Sequence, residues 1–251
     1  MSNLVDSYRQ HITDLLADLE VCNATALEQA AMVLSRQITQ DRLVHIYGPG
    51  GHSNLAAQEV FFRAGGLMHL SAILDEGTLL SSGARRSMAI ERTPGYGRSV
   101  IELAGLGAED VLILVNAYGI NAALIDAALT AHERGVYLIG ISSREHAEQT
   151  APDHPARHPS KANLHDLVDL HLDSRIAVGD AVIAIDQVSQ KVGPLSTFAN
   201  AFLLHSLIIL TVADLAQCGV DPPIWRSGNA AGGDAANGQH IDRFIGRVKW
   251  L

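Results

Sequence analysis

Leu43–Tyr47 (LVHIY) is almost wholly apolar and stops at Gly48-Pro49-Gly50-Gly51, after which the spacing turns helical through Asn54–Ala64. A run this short, bounded by glycine and proline, reads as a buried strand ending in a loop. The succession recurs at Val111–Val115 (VLILV), the turn Asn116–Asn121, and a helix from about Asn121 to Arg134. Met68–Leu74 and Val136–Ser142 (VYLIGIS) supply further strands, and Leu167–Leu172 supplies one at an edge. Strands separated by helices do not pair as hairpins, so this alternation points to a parallel sheet with helices on both faces.

The flanks are helical. Leu4, Tyr8, Ile12, Leu15, Leu16 and Leu19 form one stripe, and Leu27, Ala30, Ala31, Leu34 and Ile38 form a second. Asn23 stands between them as an N-cap, which predicts two helices. They can cover the sheet or pair with a second copy. Gly77–Gly97 reads as irregular or short-helical. Arg144–Asp166, with Pro152, Pro155 and Pro159, reads as a surface loop. A helix is expected from Ser196 to Cys218, and a last short one from about His240. The expected organisation is a helical extension for dimerisation over 1–40, one α/β domain over 41–235, and a helical tail over 236–251.

Composition narrows the function classes. The apolar fraction of 47% is ample for a core, and a net charge of -9 disfavours nucleic acid, whose phosphates need a basic face. The richest apolar stretch, Ala201–Ala213, is broken by His205 and Ser206 and is too short to span a bilayer. The N-terminal residues lack a signal pattern. Cys22 and Cys218 sit in no CxxC, which fits idle thiols in a reducing cytoplasm. A cytoplasmic protein without nucleic-acid or membrane partners is expected.

In an open parallel sheet, ligands bind beyond the carboxyl ends of the strands. Gly48–Ser53 follows one strand and opens a helix, so its amides, the Ser53 hydroxyl and the helix N-terminus suit an anion. It is neither a Walker A loop nor GxGxxG, and a plain tight turn is the alternative. Asn116–Asn121 is the matching loop after the Val111–Val115 strand, or an ordinary turn capped by Asn121. Asp75 and Glu76 suit sugar hydroxyls or turn chemistry before Gly77. Arg85, Arg86 and Arg92 can reach a phosphate or form surface ion pairs. His146, His154, His158 and His165 lack ligand spacing, so neither a metal nor a cofactor is expected.

The run HIYGPGGHSNLAAQEVFFRAGGL resembles the first strand, phosphate loop and helix of SIS (sugar isomerase) domain proteins. ILDEG (73–77), ERTPGYG (91–97), VGPLST (192–197) and NAAGGD (229–234) resemble, in order, a bacterial branch related to phosphoheptose isomerases. The resemblance implies a three-layer α-β-α sandwich with a five-stranded parallel sheet and an N-terminal helical extension. It implies a homodimer or tetramer with a site shared between subunits, and a phosphorylated sugar bound through loop hydroxyls. On that basis the ligand would sit on Gly50, Gly51, His52 and Ser53, with Asn116, Tyr118, Gly119 and Asn121 opposite. Ser196 and Thr197 would help, and Asp75 would hold sugar hydroxyls. The second family loop reads Ser-x-Ser-Gly, and here it is Asn116-Ala117-Tyr118-Gly119.

By the same resemblance Glu59 matches the catalytic glutamate of phosphoheptose isomerases and His205 their catalytic histidine. Leu55 stands where those enzymes have a zinc-binding histidine, which argues against that zinc site. The implied activity is aldose–ketose isomerisation through an enediolate, and the alternative is a binding or sensor protein without catalysis. Read as plain residues, Glu59 can pair with Arg63 one turn on. His205, among Leu203, Leu204, Leu207 and Ile208, can be a core histidine.

Overall fold

The computed structural model describes residues 2–251. In chain order the elements are α1 (Ser2–Thr39), β1 (Val44–Tyr47), α2 (Ser53–Val60), β2 (Leu70–Ile73), a single 3-10 turn at Leu80–Ser82, α3 (Ala84–Glu91) and α4 (Tyr96–Ala104). They continue with β3 (Val111–Val115), α5 (Ala122–Glu133), β4 (Tyr137–Ser142), α6 (Arg144–Gln149), α7 (Leu164–Leu167) and β5 (Leu170–Asp173). The chain closes with β6 (Ala181–Ile183), β7 (Val192–Pro194), α8 (Ser196–Gln217) and α9 (Gly233–Ile241).

Five strands form one parallel sheet in the order β2-β1-β3-β4-β5, with Val44 of β1 opposite Leu70 on one side and Val111 on the other. The sheet grows one way from β1 and the other way from β3, so the order reverses between them. That reversal opens a crevice at the carboxyl ends of β1 and β3.

Side chains alternate across each strand. Val44, Ile46, Val111, Ile113, Val115, Ile139 and Ile141 join Leu19, Leu27, Leu34, Val60, Leu203 and Leu207 beneath α1, α2 and α8. Tyr47, Leu112, Leu114 and Leu138 join Ile101, Leu124, Ala128 and Leu164 beneath α4, α5 and α7. The expected three-layer sandwich is the fold observed.

Several details differ from expectation. The N-terminal region is one continuous helix. Asn23 is buried inside it rather than capping a second helix. Its Nδ2 donates to the Leu19 and Asp173 carbonyls, each at 3.0 Å, and its Oδ1 accepts from the Asp173 N–H at 2.7 Å. A tertiary bond to the end of β5 outweighs the local preference of asparagine for a cap.

Arg144–Asp166 is the expected surface loop only in its middle, where residues 151–155 and 159–161 are exposed. It holds α6 and α7, and Arg157 winds the rest by donating to the carbonyls of Ala147, Thr150 and Ala151 and to Asn163 Oδ1. β6 and β7 form an antiparallel hairpin that their composition did not announce. The final helix, α9, ends near His240 instead of starting there. It begins behind Gly232, at φ +75°, with Asp234 favourably placed in its first turn.

α8 is longer than the apolar stretch within it, and by length and composition it is long and apolar enough to cross a membrane. Here it is a core helix, with Ala199, Leu203, Leu204, Leu207 and Ile208 buried against the sheet. Cys22 and Cys218 are exposed and unpaired.

Candidate active site between two helix N-termini

The first wall of the crevice is Gly48–His52. A side chain at Gly48 would overlap the Ser53 carbonyl, and Gly50 sits at φ +111°, where L-residues are strained. The loop is tied down by Asn54, whose Nδ2 donates to the Gly50 carbonyl at 3.2 Å and to Thr78 Oγ1 at 3.1 Å. A helix leaves its first N–H groups without intrahelical acceptors. Those of Gly51, His52 and Ser53 find none elsewhere among the described residues.

The second wall is Asn116–Gly119 after β3. Asn116 Oδ1 accepts from the N–H groups of Tyr118 and Gly119, both at 3.0 Å. Its Nδ2 is shared among the Pro49 carbonyl (3.3 Å), Ser53 Oγ (3.2 Å) and Glu91 Oε1 (3.3 Å). Asn116 therefore clamps the two loops together. Ser53 accepts that bond, which leaves its own hydrogen free to donate. The Tyr118 ring stacks on His146 with centroids 3.8 Å apart.

The third wall is the start of α8. Asp180 Oδ1 accepts from the N–H groups of Leu195 and Ser196, both at 2.8 Å, and Oδ2 accepts from the Ser196 hydroxyl at 2.6 Å. Ser196 is thus occupied by a helix cap. Thr197, one residue on, is exposed.

These walls enclose about 360 Å³ lined by Gly50–Ser53, Glu91, Asn116–Tyr118, Gly179, Asp180, Pro194, Ser196 and Thr197. A second hollow of about 440 Å³ continues from it, sharing His52 and Thr197 and reaching Glu59. It runs between α2 and α8, where His52, Leu55, Ala56 and Glu59 face Thr197, Asn200 and Ala201. Six residues separate Ser53 from Glu59, or roughly 9 Å of helix rise.

At the far end Glu59 Oε1 meets His205 Nε2 at 3.1 Å, and Glu59 Oε2 accepts from Arg63 at 3.2 Å. The ion pair with Arg63 and the contact with His205 therefore coexist. Both Glu59 and His205 are half-buried. An ionised carboxylate only accepts, so the Nε2 position carries the proton when the two are bonded.

Other expected residues stand apart. Asp75 accepts from the Thr78 N–H and hydroxyl and from the Tyr96 hydroxyl, and it lines a different hollow with Arg247, Lys249 and Trp250. Gly119 is buried against Ser142, and Asn121 is buried at the head of α5. Neither is among the residues lining the cleft. Arg85, Arg86 and Arg92 are exposed and do not line it either. The four histidines of residues 146–165 take separate partners: Tyr118 for His146, the Ala156 N–H for His154, Asp126 for His158, and Glu148 and Asp166 for His165.

Sequence reasoning missed two carboxylates, Glu91 and Asp180. Glu91 lies in a motif quoted only for its resemblance, and an acid in an anion cleft runs against charge matching. Burial pushes the Glu91 carboxyl up to about 7, with the Asn116 hydrogen bond and Arg92 acting the other way. Burial also raises the Tyr118 hydroxyl, reinforced by Asp180 and Glu91. Among the described lining residues of the 360 Å³ cleft, His52 is the one basic side chain.

A sequence model of the family described as SIS domain matches residues 7–143. Over 248 residues the chain is 33% identical to a UPF0309 protein of Geobacillus thermodenitrificans, covering 99% of this chain and 98% of that one. It is 34% identical over 237 residues to UPF0309 protein SCO4393 of Streptomyces coelicolor, covering 94% and 92%. Among solved structures, phosphoheptose isomerase from Neisseria gonorrhoeae superposes with a TM-score of 0.56 at 18% identity, covering 84% of this chain and 98% of that one. A phosphoheptose isomerase from Francisella tularensis gives 0.54 at 15% identity, covering 85% and 98%. At these identities the structural likeness speaks for the fold.

Proposed function

Because this chain belongs to the SIS domain family, and within it to the UPF0309 proteins, we propose that it binds a phosphorylated sugar and interconverts its aldose and ketose forms. The carrying observation is the placement of Glu59 and His205, 3.1 Å apart, along the same helices whose N-termini frame the cleft. The phosphate would take the free N–H groups of Gly51, His52 and Ser53 with the hydroxyls of Ser53 and Thr197. The sugar chain would then run along the α2–α8 groove toward Glu59.

Isomerisation removes a proton from the carbon next to the carbonyl and returns it to the neighbouring carbon. Glu59 is the base in this reading. It takes the proton, and the electrons left behind form the enediolate. Glu59 then returns a proton, the original or one exchanged with solvent, to the former carbonyl carbon, while the hydroxyl proton passes from one enediolate oxygen to the other. His205 holds the carboxylate in place through Nε2–H. A hydrogen-bond donor near the enediolate oxygens is needed as well, and Thr197 and Asn200 line the groove where it would lie.

A second reading, a sugar phosphate sensor without turnover, is favoured by the loss of the loop serines at Asn116–Gly119 and by the acids Glu91 and Asp180. Pentose to heptose phosphates offered in deuterium oxide separate the two. Deuterium appearing at C1 or C2 by NMR supports the isomerase. Thermal stabilisation without exchange supports the sensor and removes catalysis from the proposal.

A further inference from the structure

Placing an anion in this cleft raises a conflict that the fold must resolve. Glu91, at the end of α3, lies in the anion's own seat. Its carboxyl is so close over Gly50 that a Cβ there would come within 2.7 Å of Cδ and Oε1. Asn116 Nδ2 donates to Oε1 from the other side. The groups facing Glu91 are Asp180 and His52 across the cleft, the phenols of Tyr47 and Tyr118, and Arg92 beside it in the chain. Arg92 is exposed, and no lysine or arginine among the described residues lines the cleft. An ionised Glu91 would therefore meet an incoming phosphate as an uncompensated like charge.

We propose that Glu91 contacts the ligand in its neutral form, its carboxyl O–H donating to an oxygen of the anionic group held on Gly51–Ser53, so that binding takes up one proton. The assignment rests on the phosphosugar reading. The proton comes from solvent and resides on Glu91, and no bond to the ligand forms or breaks. Burial, which already lifts this carboxyl to about 7, makes the neutral form accessible near physiological pH. Asn116 remains bonded to the carbonyl-type oxygen of the acid, leaving the O–H side for the ligand. The site thus replaces the missing loop hydroxyls with an acid hydroxyl.

Sulfate, which keeps its charge from mildly acid to mildly alkaline pH, is the probe. Calorimetry on the full chain should show its affinity falling about tenfold per pH unit above the Glu91 pKa, the slope for one bound proton. Glu91→Gln, whose amide donates at every pH, should bind sulfate with a flat profile and keep affinity at alkaline pH. His52→Gln should retain the wild-type slope. In the wild-type protein at a fixed pH above 7, sulfate should increase the infrared band of a protonated carboxyl, which needs no variant to fold. A flat wild-type profile, a slope surviving in Glu91→Gln, or no infrared change overturns the role of Glu91 while leaving the anion cradle intact. Sulfate that binds neither protein at any pH sinks the cradle itself, and this assignment with it.

Discussion

The Glu59 carboxylate and the His205 imidazole are bonded at 3.1 Å although they stand 146 positions apart in the chain. Each comes from a different helix, and each helix starts at the cleft. Glu59→Gln keeps the size and the Arg63 contact but removes the base. Deuterium exchange into the sugar phosphate should fall by about 10²–10⁴-fold, with the ligand-induced thermal shift preserved. His205→Asn should cost less, because Arg63 still orients Glu59. Exchange at the wild-type rate in Glu59→Gln would remove this residue from the chemistry.

The pH dependence of stability follows from Glu91. Its folded pKa, about 7, is raised from 4.5, so the folded state holds this proton more tightly than the unfolded chain. The stability tied to it is full below pH 4.5 and is lost as pH rises to about 7. Against wild type, Glu91→Gln should therefore gain on alkalinisation across that window, by about 3 kcal/mol. Urea midpoints at matched pH values measure the difference. Parallel profiles for the two proteins would mean that Glu91 titrates normally.

Asp180 caps α8 with three hydrogen bonds while its charge faces the cleft. Asp180→Ala should cost about 1–2 kcal/mol in stability. It should also tighten sulfate binding at every pH, by freeing the Leu195 and Ser196 N–H groups and removing a negative charge. Weaker binding together with the stability loss would show that the cap shapes the cleft more than its charge opposes the anion.

Asn23 tests the long first helix. Asn23→Leu deletes the bonds to Leu19 and Asp173 and leaves Asp173 backbone groups unpaired. A loss of about 1–3 kcal/mol is expected, with sulfate affinity unchanged. Circular dichroism melts read the first quantity and calorimetry the second. An unchanged melting temperature would mean that the helix does not need its tie to β5.

The architecture was legible because its signal is local. LVHIY before GPGG and VLILV before Asn116 each show a strand handing over to a helix, and two such units at a strand reversal place the cleft. What escaped depends on contacts distant in sequence. Asn23 looks like a cap until β5 arrives beside it. Asp75, expected in the site, is turned away because Thr78 and Tyr96 satisfy it first. Ser196 was read as a donor to ligand, yet Asp180 claims its hydroxyl. Glu91 escaped for a different reason: burial alters its charge, and spacing carries no record of burial.

The amide of Asn116 has two hydrogens and three takers, on Pro49, Ser53 and Glu91. The two loops and the end of α3 are thus tied at one knot in the wall of the cleft. Three stretches of chain from separate parts of the fold meet at that knot, so slackening one slackens all. A substitution at any one of them is therefore felt by the other two, and a ligand seated beside the knot meets a wall already set.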